Sequence, residues 1–380
     1  MDAKGTSRRR FVARAGGAAL VAGFGLAHAQ SEKIVLGQSA AFTGPSAQLG
    51  LQFNAGARLY FDQLNAQGGV GRRLIEIARL DDGYEPDRCA ENTRKFIADD
   101  VFALFGYIGT PTTLAALPLL TQARIPLLAP FTGAMALREP FNRNVFHVRA
   151  SYNDETALIV RQLTGLGITR IGVFHQNDSY GKAGLDGVTL ALAAQNLKPA
   201  GQATVERNSN DVAAAVKTLV AAQLQAIVLV STYGSCAAFI RAARAAGYGG
   251  TFYNVSFVGT QALADALGKD GAGVVVSQVV PSPYQPSKPI TREFLDAIRK
   301  GGGAVQPNYS SLEGYIAARV CAEGLRQAGD KPTREGFVRG LEAISPQHLP
   351  GFPITYGSAN HAGSKFVEIS MLTGDGGVRT

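Results

Sequence analysis

From Ile34 onward the chain alternates between short apolar runs and amphipathic stretches. Ile34-Val35-Leu36-Gly37 reads as a buried strand. The helix predicted next, over about residues 51–65, carries Phe53, Ala57, Tyr60 and Leu64 as one apolar stripe. Gln67-Gly68-Gly69-Val70-Gly71 ends it. Residues 74–80 read as a second strand, Pro86 opens a helix to about residue 97, and residues 102–105 form a third strand. A helix from Pro111 and a fourth strand over 125–128 complete this half.

The alternation restarts after Ser151, with strands expected at 171–174, 202–206, 227–230 and 251–255 and helices between them. Strands separated by helices of this length are parallel βαβ units, so the pattern predicts two doubly wound α/β lobes. Pro281, Pro283, Pro286 and Pro289 mark a rigid non-helical crossing. Helices follow over about 291–300, 309–328 and 333–343. The C-terminal stretches 352–356 and 365–372 read as a hairpin around Asn360-His361-Ala362-Gly363.

The N-terminus alters where such a protein is expected to work. Ser7-Arg8-Arg9-Arg10-Phe11-Val12 is a twin-arginine cluster, followed by a small-residue apolar run and Ala27-His28-Ala29, an A-x-A cleavage site. Residues 1–29 are therefore expected to be an export signal of the twin-arginine type, giving a periplasmic chain that begins at Gln30. They hold five basic residues and one acidic residue, so the formal charge of +8 falls to +4 without them. No Lys/Arg block remains to suggest a nucleic-acid surface. Hydrophobic content of 46% with 17% charged residues describes an ordinary globular chain. Cys89, Cys236 and Cys321 are too few and too scattered for a disulfide scaffold or a metal site.

Several stretches then resemble one family: Gly37-Gln38-Ser39-Ala40-Ala41-Phe42-Thr43-Gly44-Pro45, Leu64-Asn65-Ala66-Gln67-Gly68-Gly69-Val70-Gly71, Asp81-Asp82-Gly83-Tyr84-Glu85-Pro86, Gly106-Tyr107-Ile108-Gly109-Thr110-Pro111, Ala129-Pro130-Phe131-Thr132-Gly133 and Asn177-Asp178-Ser179-Tyr180-Gly181. In order and spacing they are similar to the Leu/Ile/Val-binding type of periplasmic substrate-binding protein. The resemblance implies the type I periplasmic binding fold, two lobes joined by a three-crossing hinge. Lobe one would hold 31–150 plus 281–345, and lobe two 151–280 plus 346–380. It further implies a monomer with no cofactor, which carries a small solute to an inner-membrane ABC permease. A ligand-sensing receptor on the same fold is the alternative. An exported hydrolase would need a nucleophile–base constellation, and His147, His175, His348 and His361 are isolated; no catalytic residue and no metal site is expected.

Ligands of open α/β sheets lie beyond the C-terminal strand ends. In Gly109-Thr110-Pro111-Thr112-Thr113, Thr110 suits an N-cap and Pro111 the first helical position, leaving the amides of Thr112 and Thr113 as an anion site. The resemblance adds Leu49, Phe131, Thr132, Gly133, Tyr180, Tyr233, Ser256 and Phe257. It also implies that amino-acid binders carry an acid in the loop matching Asn254-Val255-Ser256-Phe257-Val258, and this loop has none. A small carboxylate-bearing solute, amino-acid-like or an aromatic acid, is therefore the expected ligand, with a carboxylate lacking an ammonium favoured over leucine. The disulfide that relatives place between positions matching Tyr84 and Gly109 is absent, and three free thiols are expected.

Overall fold

The computed structural model describes residues 33–380. The expected export signal lies outside them. Five parallel strands form the first sheet: β1 (Lys33–Ala40), β2 (Leu74–Asp81), β3 (Ala103–Phe105), β4 (Leu127–Leu128) and β5 (Val145–Phe146), in the order β2-β1-β3-β4-β5. Between them run α1 (Ala47–Ala66), α2 (Pro86–Ala98) and α3 (Thr110–Ala123).

After α4 (Tyr152–Gly165) the second sheet begins with β6 (Ile171–Gln176). It continues through α5 (Ser179–Ala193), β7 (Gly201–Val205), α6 (Ala213–Ala221), β8 (Ala226–Val230), α7 (Tyr233–Ala245), β9 (Thr251–Asn254), α8 (Thr260–Leu267) and β10 (Val275–Gln278). The chain then returns to the first half as α9 (Pro289–Lys300), α10 (Tyr309–Gln327) and α11 (Arg334–Glu342). It ends on β11 (Glu368–Leu372) and β12 (Val378–Arg379) in the order β12-β11-β10-β9-β8-β6-β7. The predicted α/β class with two doubly wound lobes is the architecture observed. The chain passes between its halves three times.

Helix α10 joins the first half by packing on α1, and two glycines make this possible. A Cβ on Gly56 would stand 1.8 Å from the Ser311 carbonyl oxygen, and one on Gly314 would stand 2.0 Å from that of Phe53. Neither position tolerates a side chain without the two backbones moving apart. The stripe read from the sequence meets this interface, with Phe53 and Ala57 fully buried. Burying a phenylalanine such as Phe53 contributes about 2–3 kcal/mol.

Two expectations change. Residues 352–356 are not a strand, and the C-terminal hairpin is β11–β12, turning on Gly374-Asp375-Gly376-Gly377 with Gly376 at φ 80°. The stretch from 346 to 363, expected with lobe two, instead lies along the β5 edge. Ala362 bridges His147, and the His147 and Gly363 amides donate to His361 and His147 carbonyls at 2.9 and 2.8 Å. The chain rejoins the second sheet only at Glu368, opposite Gln278. All three cysteines are buried and unpaired.

Candidate functional site

The C-terminal ends of both sheets converge on one cluster of rings. Phe257, in the turn after β9, lies 4.5 Å from Tyr180 of α5, 5.7 Å from Phe131 and 5.9 Å from Tyr84 (centroid distances). Tyr152, at the start of α4, stands 5.5 Å from Tyr180. Phe131 and Tyr84 follow strands of the first sheet, while Tyr180 and Phe257 follow strands of the second. The cluster therefore closes the gap between the halves, and all five rings are fully buried.

On the first-sheet side, α3 begins differently from the sequence expectation. Gly109, not Thr110, is the N-cap, at φ 106°. Only glycine fits, because a Cβ there would lie 2.3 Å from the Tyr84 ring. Thr110 is the first helical residue, and its Oγ1 pairs with Thr132 Oγ1 at 2.7 Å. Thr112 turns its hydroxyl back to the Ile108 carbonyl at 2.5 Å, and the Thr113 amide is taken by Gly109 O at 3.2 Å. Thr113 thus drops out as an anion donor. The amides of Thr110 and Thr112 are in the first turn and have no intrahelical acceptor. Gly133 abuts Tyr152, whose amide donates to its carbonyl at 2.8 Å. Leu49 is buried against Gly259 of the other half.

The second-sheet side is charged behind its polar surface. The Ser256 amide and hydroxyl donate to Glu155 at 2.7 and 3.0 Å, and Ser277 donates to the same carboxylate at 2.6 Å. Burial pushes the Glu155 carboxyl up from the usual range, against the pull of Arg149. Arg149 donates to the Ser256 hydroxyl at 3.2 Å and forms a two-pronged pair with Glu313 at 2.7 and 2.8 Å. Its guanidinium also lies over the Phe131 ring at 3.8 Å. An acid thus reaches the loop that has none of its own, but from α4, and it is already committed to three donors. Tyr233 lies farther out, half-buried at the rim, where the Gln48 amide reaches its hydroxyl at 3.5 Å. It is not brought into the ring cluster.

Sequence reasoning missed Tyr84, Tyr152, Gln176 and Ser231. The Tyr152 hydroxyl, Gln176 Oε1 and Ser231 Oγ are buried and meet no hydrogen-bond partner among the described residues. An orphaned buried polar atom costs about 1–3 kcal/mol. Three of them gather at this one cluster. A cavity of about 690 Å³, lined by none of these rings, opens between Gln48, Leu51 and Gln52 of α1 and Gln261 and Asp265 of α8. Among the described residues no group of three or more His, Cys, Asp or Glu could hold a metal ion. No helix there is long and apolar enough to cross a membrane.

Known proteins share this fold. A possible leucine/isoleucine/valine-binding protein from Rhodopirellula baltica superposes with a TM-score of 0.86 at 33% identity, covering 92% of this chain and 96% of its own. A substrate-binding periplasmic protein from Ralstonia solanacearum gives 0.85 at 34% identity, over 91% and 99%. The leucine-, isoleucine-, valine-, threonine- and alanine-binding protein of Pseudomonas aeruginosa is 23% identical over 330 residues, 86% of each chain. Residues 33–376 match the family described as periplasmic binding protein. With this sequence order, two-lobed fold and inter-lobe site, the chain belongs to the periplasmic binding protein family, whose members bind rather than catalyse.

Proposed function

We propose that this protein is the solute receptor of an ABC importer in the periplasm, capturing a small carboxylate-bearing solute between its lobes and delivering it to an inner-membrane permease. The lobes that close are residues 33–150 with 281–363, and 151–280 with 364–380. The observation that carries the reading is the ring cluster built from both halves, with three orphaned polar atoms inside it. Thr110 and Thr112, at the positive end of α3, would receive the carboxylate. Neither half offers an uncommitted acid at the Ser256 turn: Glu313 of the first is paired with Arg149, and Glu155 of the second holds Ser256 and Ser277. A buried ammonium without a counter-charge costs several kcal/mol, so an acid lacking one is favoured.

The names of the relatives support a second reading, a branched-chain amino acid. Calorimetry with leucine, isoleucine and valine separates the two. Micromolar or tighter binding of any of them overturns the ammonium-free reading. The chain has no Trp, so a thermal-shift screen of small acids is the practical first step, and a ligand at 100 times its Kd stabilises by about 2.7 kcal/mol. Thr110→Ala is expected to weaken the acid that binds by about tenfold.

A further inference from the structure

Gln176 ends β6 at the floor of the cleft and is fully buried. Its Nε2 donates to Asp178 Oδ2 at 2.6 Å and to the Tyr84 hydroxyl, across the cleft, at 3.2 Å. A carboxylate only accepts, so Asp178 fixes which end of the carboxamide is nitrogen. The oxygen, Oε1, is thereby turned away, buried and without a donor among the described residues.

Asp178 is itself held. Its Oδ1 accepts from the Tyr180 and Gly181 amides at 2.9 and 3.4 Å, and Arg207 reaches Oδ2 at 3.4 Å. Arg207 also crosses to Glu85 of the other half at 2.9 Å. Its neighbour Asn208, in a left-handed conformation, donates to Gly83 O and Glu85 at 3.1 and 2.8 Å. Closing the two halves thus completes a chain from Glu85 through Arg207 and Asp178 to Gln176.

We infer that Gln176 selects a ligand carrying a hydroxyl in addition to its carboxylate, and that Arg207 is the positioning residue that holds Gln176 in register once the lobes close. The inference rests on the carboxylate reading above. A hydroxyl satisfies the orphaned oxygen without introducing a charge. An unhydroxylated acid leaves it buried and unpaired, and a site built around such an acceptor discriminates strongly against the analogue that lacks the donor.

The test is calorimetry on the full chain with five probes: 4-methylpentanoate, 2-hydroxy-4-methylpentanoate, leucine, 3-phenylpropanoate and 3-(4-hydroxyphenyl)propanoate. In at least one skeleton the hydroxylated acid should bind about tenfold or more tightly than its parent. Gln176→Met should erase that preference, the hydroxylated acid and its parent binding within about threefold of each other whatever the variant's overall affinity. Arg207→Ala should shrink the preference, and Arg207→Lys should restore part of it. Equal affinity for parent and hydroxylated acid in both skeletons overturns the proposal, as does a preference that survives Gln176→Met. If Gln176→Met does not fold, Arg207→Ala carries the test alone, its side chain being partly exposed. Leucine binding tightest overturns the ammonium-free reading instead, and binding of none of the five removes both.

Discussion

On the first-sheet side the cleft offers neutral groups close together in sequence: the first turn of α3, the Thr110–Thr132 hydroxyl pair and the Phe131 ring. Across from them, the Ser256 turn of the second-sheet side is held by buried charged groups scattered along the chain and drawn from both halves, Glu155 from α4 of the second and Arg149 with Glu313 from the first. A neutral hydrogen bond contributes about 0.5–1.5 kcal/mol, and its loss is local. Breaking a buried ion pair by removing one partner costs about 3–5 kcal/mol, because the remaining charge is stranded. The neutral groups therefore tolerate experiment, and the charged network is tied to the stability of the whole molecule.

Glu313→Gln and Thr110→Val test that contrast directly. Glu313 and Arg149 are almost wholly buried, so Glu313→Gln should lower the unfolding free energy by about 3–5 kcal/mol in chemical denaturation. Thr110→Val, which removes one hydroxyl of a neutral pair, should cost about 1 kcal/mol. Similar losses for the two variants would erase the distinction between the neutral groups and the charged network.

The same contrast explains what the sequence made legible. β1, β3, β4, β6, β8 and β9 were readable as short apolar runs, β2 and β7 from their place in the alternation, and α1 because its stripe has helical spacing; β5 and β10, only two and four residues long, gave no separate signal. The first turn of α3, proposed above to receive the carboxylate, was readable because Gly109 to Thr113 are contiguous. Its register was misjudged by one residue: Thr is the more usual cap, but the approach of Tyr84, distant in sequence, demands a glycine there. Gln176 and Ser231 each directly follow a run of buried strand residues, and a polar side chain at that point is the signal that would have found them. Glu155 and Glu313 gave no such signal, since helices expose acids routinely. Only the fold turns these two inward. The hairpin was misplaced because hydrophobicity at 352–356 was weighed above the turn chemistry of Asp375-Gly376-Gly377.

Each wall also conceals a carboxyl that burial pushes up. Asp82, beside Ser39 and Tyr84 on the first-sheet side, is raised from 3.8 to about 6, burial outweighing its hydrogen bonds. Glu155 shifts in the same direction on the other side. A raised carboxyl favours the folded state while protonated, so Asp82 contributes stability that is complete below about pH 4 and lost as pH rises through about 6. Asp82→Asn mimics the protonated form throughout. Relative to that variant, the parent should lose up to about 2 kcal/mol between pH 4 and pH 7. Comparing the two chains cancels the other carboxyls. A parent that gains stability against Asp82→Asn over this range would contradict the assignment.

The smallest expected effect lies where the walls meet. Tyr152 follows the crossing at Ser151, its ring packs on Tyr180, and its hydroxyl has no partner among the described residues. The Thr132 hydroxyl beside it is already paired with Thr110 and offers it no well-formed hydrogen bond, so removing the Tyr152 hydroxyl while keeping the ring forfeits little, and Tyr152→Phe should leave the unligated protein as stable as before or up to about 1 kcal/mol more stable. Affinity should move the other way. If the hydroxyl is held in reserve for the ligand, the tightest-binding acid of the calorimetric series should weaken by about three- to tenfold. Stability and binding then change with opposite signs, which a purely structural tyrosine does not produce. A variant that loses both stability and affinity would make Tyr152 part of the scaffold and leave Gln176 and Ser231 as the cleft's reserved polar groups.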